Sequence, residues 1–251
     1  MYFHLHKHIY LTIYNGSFIV LDLFKDQYIT LSKNDSTVLD FALGIQFKLA
    51  KGTHKLYPSQ ANISLPNNFD KSIKTLKKYE ILDSKYYTYP YKISFTQKKD
   101  YSSGISDVRW GVLQKNLDLS VPVILIIEAY IALLKISLML KIRGIAYLIE
   151  NIKNRPKDRS LYAPKDENSF KFLVVALNKA WFLFPQRIAC LEWSSALVLM
   201  ALRRKWQCNL IIGVQNFPFY AHAWVESGGK IIAESPEFPQ KMSIILSEPF
   251  E

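Results

Sequence analysis

Residues 190–226 read CLEWSSALVLMALRRKWQCNLIIGVQNFPFYAHAWVE, and no other run in the chain constrains the fold as tightly. Leu191, Ser194, Val198, Ala201 and Leu202 recur with a helical period, and Arg203, Arg204 and Lys205 fill the turn where a helix dipole ends negative. CNLIIGV then reads as a buried strand, followed by a strand that carries His222 between two alanines. The helix period predicts that Cys190 stands at or near a helix N-terminus. Unpaired N–H groups and the positive end of the dipole favour a thiolate there, the form in which cysteine is a nucleophile. Taken alone, Cys190 also reads as a buried structural cysteine and His222 as an ordinary core histidine. Cys208, inside the strand, is read as core.

The rest of the composition bounds the setting. With 251 residues, 49% hydrophobic and 14% aromatic, the chain holds one large or two small folded domains and is not disordered. Its formal charge of +11 suits acidic partners without choosing among them. Two cysteines argue against a disulfide framework, and the opening MYFHLHKHIY lacks the features of a secretory signal, so a reducing cytoplasm is expected. Val121 to Leu140 is nearly long enough to span a bilayer, but Glu128 and Lys135 interrupt it on one face. It is read as a buried amphipathic helix, with peripheral membrane contact left open.

Composition breaks between the halves. Residues 1–90 contain eleven lysines and no arginine, whereas all seven arginines lie from Arg109 onward. This places a domain at 1–90, a linker at 91–110 and a second domain at 111–251. The first domain reads as a meander of strands Ile9 to Tyr14, Phe18 to Phe24 and Gln27 to Leu31, with turns at Asn15-Gly16 and Lys25-Asp26. Helices follow at Ser36 to Leu43, capped by Ser32, and at Phe69 to Leu82. Lys71, Lys74, Lys77 and Lys78 could meet phosphates, but arginines for base edges are missing, so no nucleic-acid partner is expected. His4, His6 and His8 alternate as if on one strand face, without acidic or cysteine neighbours, and no metal site is assigned to them. GxxxxGKS, CxxC and HExxH motifs are absent, and no cofactor is evident.

The strand-then-helix order of 1–90, with YITLSKNDSTVLD as its best local match, resembles the winged-helix peptide-recognition domain of ribosomally made natural-product pathways. The resemblance implies that a precursor's leader adds as a strand along Tyr28, Ile29, Thr30 and Leu31, beside Leu76 and Tyr79 of the last helix. The second half, with its Cys-Leu pair, serine-rich helix, paired arginines and Ala-His-Ala-Trp-Val-Glu, closely resembles the leader peptidase of lasso-peptide biosynthesis, a papain/transglutaminase-like cysteine enzyme. That resemblance implies a triad of Cys190, His222 and an acid. The family usually has Asn-Asp after the hairpin where this chain has Ala233-Glu234, so Glu234 is the expected third member, with Glu237 as the alternative and Glu226 as a solvated carboxylate. Register supplies a check. A two-residue Gly228-Gly229 turn would send Glu234 to the face opposite His222, whereas a three-residue loop pairs Glu226 with Lys230 and sets Glu234 across from His222. The triad therefore predicts the longer loop. Gln186 is a candidate oxyanion donor beside the Cys190 N–H, and Trp193 and Trp224 are candidate substrate contacts, Trp193 standing where the family commonly has a basic residue.

The chain is thus expected to be α+β, an N-terminal winged-helix recognition domain joined to a C-terminal papain/transglutaminase-like cysteine peptidase. It would free the core of a lasso precursor for an asparagine-synthetase-like macrolactam synthetase. ATP dependence is associated with the family, and nothing in this sequence accounts for it. Two readings stand beside this one: a transglutaminase-like acyltransferase, and a non-catalytic leader-binding adaptor.

Overall fold

A computed structural model describes residues 3–43, 66, 68–83, 119–185, 188–234 and 241–250. The chain divides into two compact units, Met1–Ser94 and Phe95–Glu251. The linker expected at 91–110 lies outside the described residues.

In the first unit β2 (Ile9–Tyr14), β3 (Ser17–Asp22) and β4 (Gln27–Thr30) form an antiparallel meander in that order. Asn15 and Gly16 both take positive φ, as a tight hairpin with right-handed strand twist requires. Strand β3 stops at Asp22, short of the expected Phe24, because the Asp22 carboxylate accepts the N–H groups of Phe24 and Lys25 and turns the chain. Ser32 caps α1 (Lys33–Leu43), which starts three residues earlier than expected; its hydroxyl accepts the Asp35 N–H at 3.0 Å. The Ser36 hydroxyl in turn accepts the Phe18 N–H of β3 at 3.0 Å, fixing helix to sheet at a buried point.

Helix α2 (Phe69–Lys78) ends before the expected Leu82, since Glu80 adopts φ 59° and the chain returns as β5 (Leu82–Asp83), paired with β1 (His4–Leu5). A turn at Lys7-His8 separates the three N-terminal histidines, so they do not share one strand face as expected. His8 instead stacks on Phe24 at 4.2 Å and approaches Asp22 at 3.7 Å.

The second unit sets three helices against an antiparallel sheet. Helices α3 (Val123–Lys153), α4 (Glu167–Phe182) and α5 (Cys190–Arg203) pack on one another, and α5 also lies against the sheet. The sheet runs β10 (Lys230–Ile232), β9 (Tyr220–Ser227), β8 (Asn209–Gln215), β11 (Ser243–Glu248), while β6 (Ala163–Pro164) and β7 (Trp206–Gln207) form a short parallel pair. Helix α5 is the hub: every residue from Trp193 to Leu202 is buried. Arg204, just past its end, grips Glu128 of α3 with two bonds of 2.9 and 2.6 Å, and Arg203 adds a contact at 3.6 Å. This fork of hydrogen bonds holds the Glu128 carboxyl below the usual range.

Helix α3 departs from the reading as a buried helix. Gly144 interrupts it with φ 74° and ψ −179°, and one side is packed while the other carries exposed aliphatic side chains.

Candidate active site

Cys190 is the first residue of α5, and the residue before it, Ala189, has no side-chain acceptor. Only the reverse half of a capping box is therefore built, with the Glu192 carboxylate accepting the Ala189 N–H at 2.8 Å. The alanine cap leaves the first-turn N–H groups directed at whatever lies before the helix, an arrangement suited to an anion. Cys190 is half-buried, whereas Cys208 is fully buried, and burial drives the Cys208 thiol strongly up and away from thiolate chemistry.

His222 lies on β9 opposite Gly213 of β8, at 2% side-chain exposure. Its ring stands between those of Tyr220 and Trp224, two residues away on either side and on the same strand face, at 6.1 and 6.2 Å between centroids. Its Nε2 meets Glu234 Oε1 at 3.1 Å. Burial would depress the imidazolium, but hydrogen bonds to Cys190 and Glu234 and the charges of both outweigh it and raise His222 to about 9. Burial and the same two neighbours push Tyr220 up to about 12.

The hairpin reaches this geometry by a route other than the expected one. Gly228 and Gly229, both at positive φ, make a two-residue turn, and Lys230 pairs with Ser227, Ile231 with Glu226 and Ile232 with Val225. The three-residue loop is absent. Continued as regular strand, this register would carry Glu234 to the wrong face. Instead β10 ends at Ile232 and Ala233 takes φ 59°, a left-handed residue that turns Glu234 back onto His222. A break in the strand, not the loop length, restores the facing. Asparagine tolerates this conformation better than most residues, which gives the Asn-Asp of the resembling family a physical reason at the corresponding pair.

Other expected contacts fall elsewhere. Trp193 is buried and its indole N–H donates to Asn178 on α4 at 3.0 Å, so it packs helices and does not offer a face to substrate. Trp224 is fully buried over Gly213, where a Cβ would sit 2.5 Å from the indole ring, and its N–H donates to Glu226 at 2.8 Å. Its ring lies 6.2 Å from that of His222, and Glu226, expected as a solvated carboxylate, is half-buried and accepts the indole bond. Gln186 and Glu237 lie outside the described residues. In the first unit, Tyr28, Ile29 and Thr30 belong to the outer strand β4 and Tyr79 is exposed, but Leu31 and Leu76 are core residues with no surface to offer. Among the described residues no group of three or more His, Cys, Asp or Glu could hold a metal ion.

Two contributors escaped the sequence reading. Ser194, one turn along from Cys190, donates its buried hydroxyl to the Ala223 carbonyl at 3.0 Å, tying the helix that bears the cysteine to the strand that bears the histidine. The serine-rich character of the helix was the available signal. Gly213 was read only as part of its strand; the need to admit the Trp224 ring gives it a specific role.

Residues 132–247, within the second unit, match the transglutaminase-like superfamily, and the mixed helix and strand content of that unit fits an α+β architecture. The chain is also similar to the microcin J25-processing protein of Escherichia coli, 32% identical over 121 residues, which cover 47% of this chain and 57% of that protein. It thus spans little more than half the length of that relative. No solved structure gives a significant match. The domain and the relative together support the resemblance to the lasso-peptide B proteins read from the sequence.

Proposed function

We propose that this relative of the lasso-peptide B proteins is a cysteine peptidase that binds the leader of a lasso precursor and cuts it from the core. One observation carries the proposal. A buried histidine meets a carboxylate at 3.1 Å and lies near enough to the thiol of a helix-opening cysteine for the two together to raise it to about 9. With Nε2 held by Glu234, the thiol proton passes to the other ring nitrogen, leaving thiolate beside imidazolium. The Cys190 sulfur attacks the scissile carbonyl carbon, and the resulting oxyanion meets the Cys190 N–H, with Gln186 as the proposed second donor. Collapse breaks the C–N bond, His222 gives its proton to the departing amine of the core peptide, and a thioester to the leader remains. Water then attacks the thioester, losing a proton to His222, and frees the leader's carboxylate.

The first unit is proposed as the winged-helix recognition domain, with the leader laid along β4 near Tyr28 and Tyr79. The released core amine is the group a macrolactam synthetase consumes, which makes that enzyme the proposed partner. The relative's name speaks of processing, and nothing found favours the acyltransferase or adaptor readings.

Mass spectrometry of a precursor peptide encoded beside this protein tests the proposal. Cleavage is expected with the wild type and Cys208→Ala, to vanish with Cys190→Ala and His222→Ala, and to fall sharply with Glu234→Ala. Cleavage that survives Cys190→Ala would remove the cysteine from the chemistry.

A further inference from the structure

Helix α3 is apolar almost throughout, yet only one side of it is covered. Ala129, Ala132, Leu133 and Ile136 are buried where the helix packs on α4 and α5. Ile124, Ile127, Ile131, Leu134, Leu138 and Ile142 are exposed, Ile142 to 73%, and at 3.6 residues per turn they form one stripe about 27 Å long. The patch widens beside it at the end of α4, where Phe182 and Leu183 are exposed and the Phe184 ring lies 5.2 Å from Tyr130 of α3. Soluble monomers rarely expose so continuous an apolar surface without using it.

Charge around the stripe chooses the occupant. Helical geometry puts Lys135 on one flank and Lys141 on the other, and Arg143 follows just before the interruption at Gly144. The one carboxylate between Val123 and Arg143, Glu128, is turned inward to Arg203 and Arg204. The outward side therefore offers aliphatics rimmed by cations and no anion. The helix is long and apolar enough to cross a membrane, but its packing on α4 and α5 and the fork between Glu128 and Arg204 tie it into the domain. Insertion across a bilayer would break that packing, whereas lying in the interface would not.

We propose that the α3 stripe is a peripheral docking surface for an anionic lipid bilayer, with the aliphatics entering the headgroup boundary and Lys135 and Lys141 reaching the phosphates. The proposal does not depend on the peptidase reading.

Co-sedimentation of the full chain with phosphatidylcholine vesicles, with and without phosphatidylglycerol, tests it. The protein is expected to sediment with the anionic vesicles and weakly or not at all with the neutral ones. The Ile131→Ser/Leu138→Ser variant should lose about tenfold or more in partitioning. Lys135→Gln/Lys141→Gln should lose roughly tenfold and most of the salt dependence. Both changes replace surface side chains, so circular dichroism melting should match the wild type. Failure to bind anionic vesicles, or equal binding by wild type and variants, overturns the proposal. So does a wild-type dimer in ultracentrifugation that the Ile131→Ser/Leu138→Ser variant converts to monomer without any vesicle binding, because the stripe would then belong to a second copy.

Discussion

Glu234 reaches His222 only because Ala233 stands in a left-handed conformation that costs an alanine roughly 1 kcal/mol. Ala233→Gly or Ala233→Asn should therefore leave stability equal or raise it by up to about 1 kcal/mol, whereas the β-branched Ala233→Val should cost about 1–2 kcal/mol and displace the carboxylate. Denaturant midpoints and cleavage rates measured on the three variants check this: loss of activity in the valine variant with retention in the asparagine variant is the expected pattern. The charge of Glu234 has its own signature. His222 is raised from its ordinary 6.5 to about 9, so its protonated form is favoured by folding. Its contribution is fully present below about pH 6.5 and disappears as pH climbs through about 9, up to about 3 kcal/mol in all. Glu234→Gln keeps a hydrogen-bonding oxygen but removes the charge, so the alkaline loss of stability should begin at lower pH and be smaller. Denaturation series across that range read this directly, and an unchanged profile would mean that Glu234 does not hold the imidazolium.

At the scale of elements, the site depends on a helix and a strand keeping a fixed separation. Ser194 supplies a buried bond between them, one turn from Cys190 and one residue from His222. Ser194→Ala should cost only about 1 kcal/mol of stability, but it should slow alkylation of Cys190 near neutral pH and lower kcat more than it raises KM. A Cys208→Ala background isolates the reacting thiol. If alkylation and its pH profile are unmoved, Ser194 is a packing residue only. Gly213 works from below: adding a methyl drives the Trp224 ring off its seat and with it the stack on His222, so Gly213→Ala should lower both melting temperature and activity. These features show what the sequence could disclose. The period of α5, the opening position of Cys190 and the strand of His222 were legible because each follows from local pattern, whereas Glu234, which lies 3.1 Å from His222, came from the resemblance and not from a pattern. The turn was misjudged because one left-handed alanine changes the facing of everything after it, and positive φ at alanine leaves no compositional trace. Trp193 and Trp224 were misassigned for a related reason: a tryptophan with a polar partner inside the core looks, in sequence, the same as one lining a cleft.

For the whole molecule, lysines without arginine fill residues 1–90 and the arginines begin at Arg109, while the chain divides into compact units at Ser94 and Phe95. What composition could not show was which residues of the first unit are surface: Leu31 and Leu76 sit at helical and strand spacings that serve the core, while Tyr79 is left outside. If the first unit delivers the leader to the second, the two steps should separate kinetically. Covalent linkage turns presentation of the scissile bond into an intramolecular event at high effective concentration, so leader contacts should govern KM and the Cys190 site should govern kcat. Tyr28→Ala and Tyr79→Ala should then raise KM for the full precursor several-fold with kcat kept, and leave unchanged the slow cleavage of a short peptide spanning only the scissile bond. Free leader added in excess should compete with the full precursor but not with the short peptide. Steady-state rates on both substrates decide the matter: if the tyrosine variants lower kcat on the short peptide, these residues support the catalytic domain and the leader is held elsewhere.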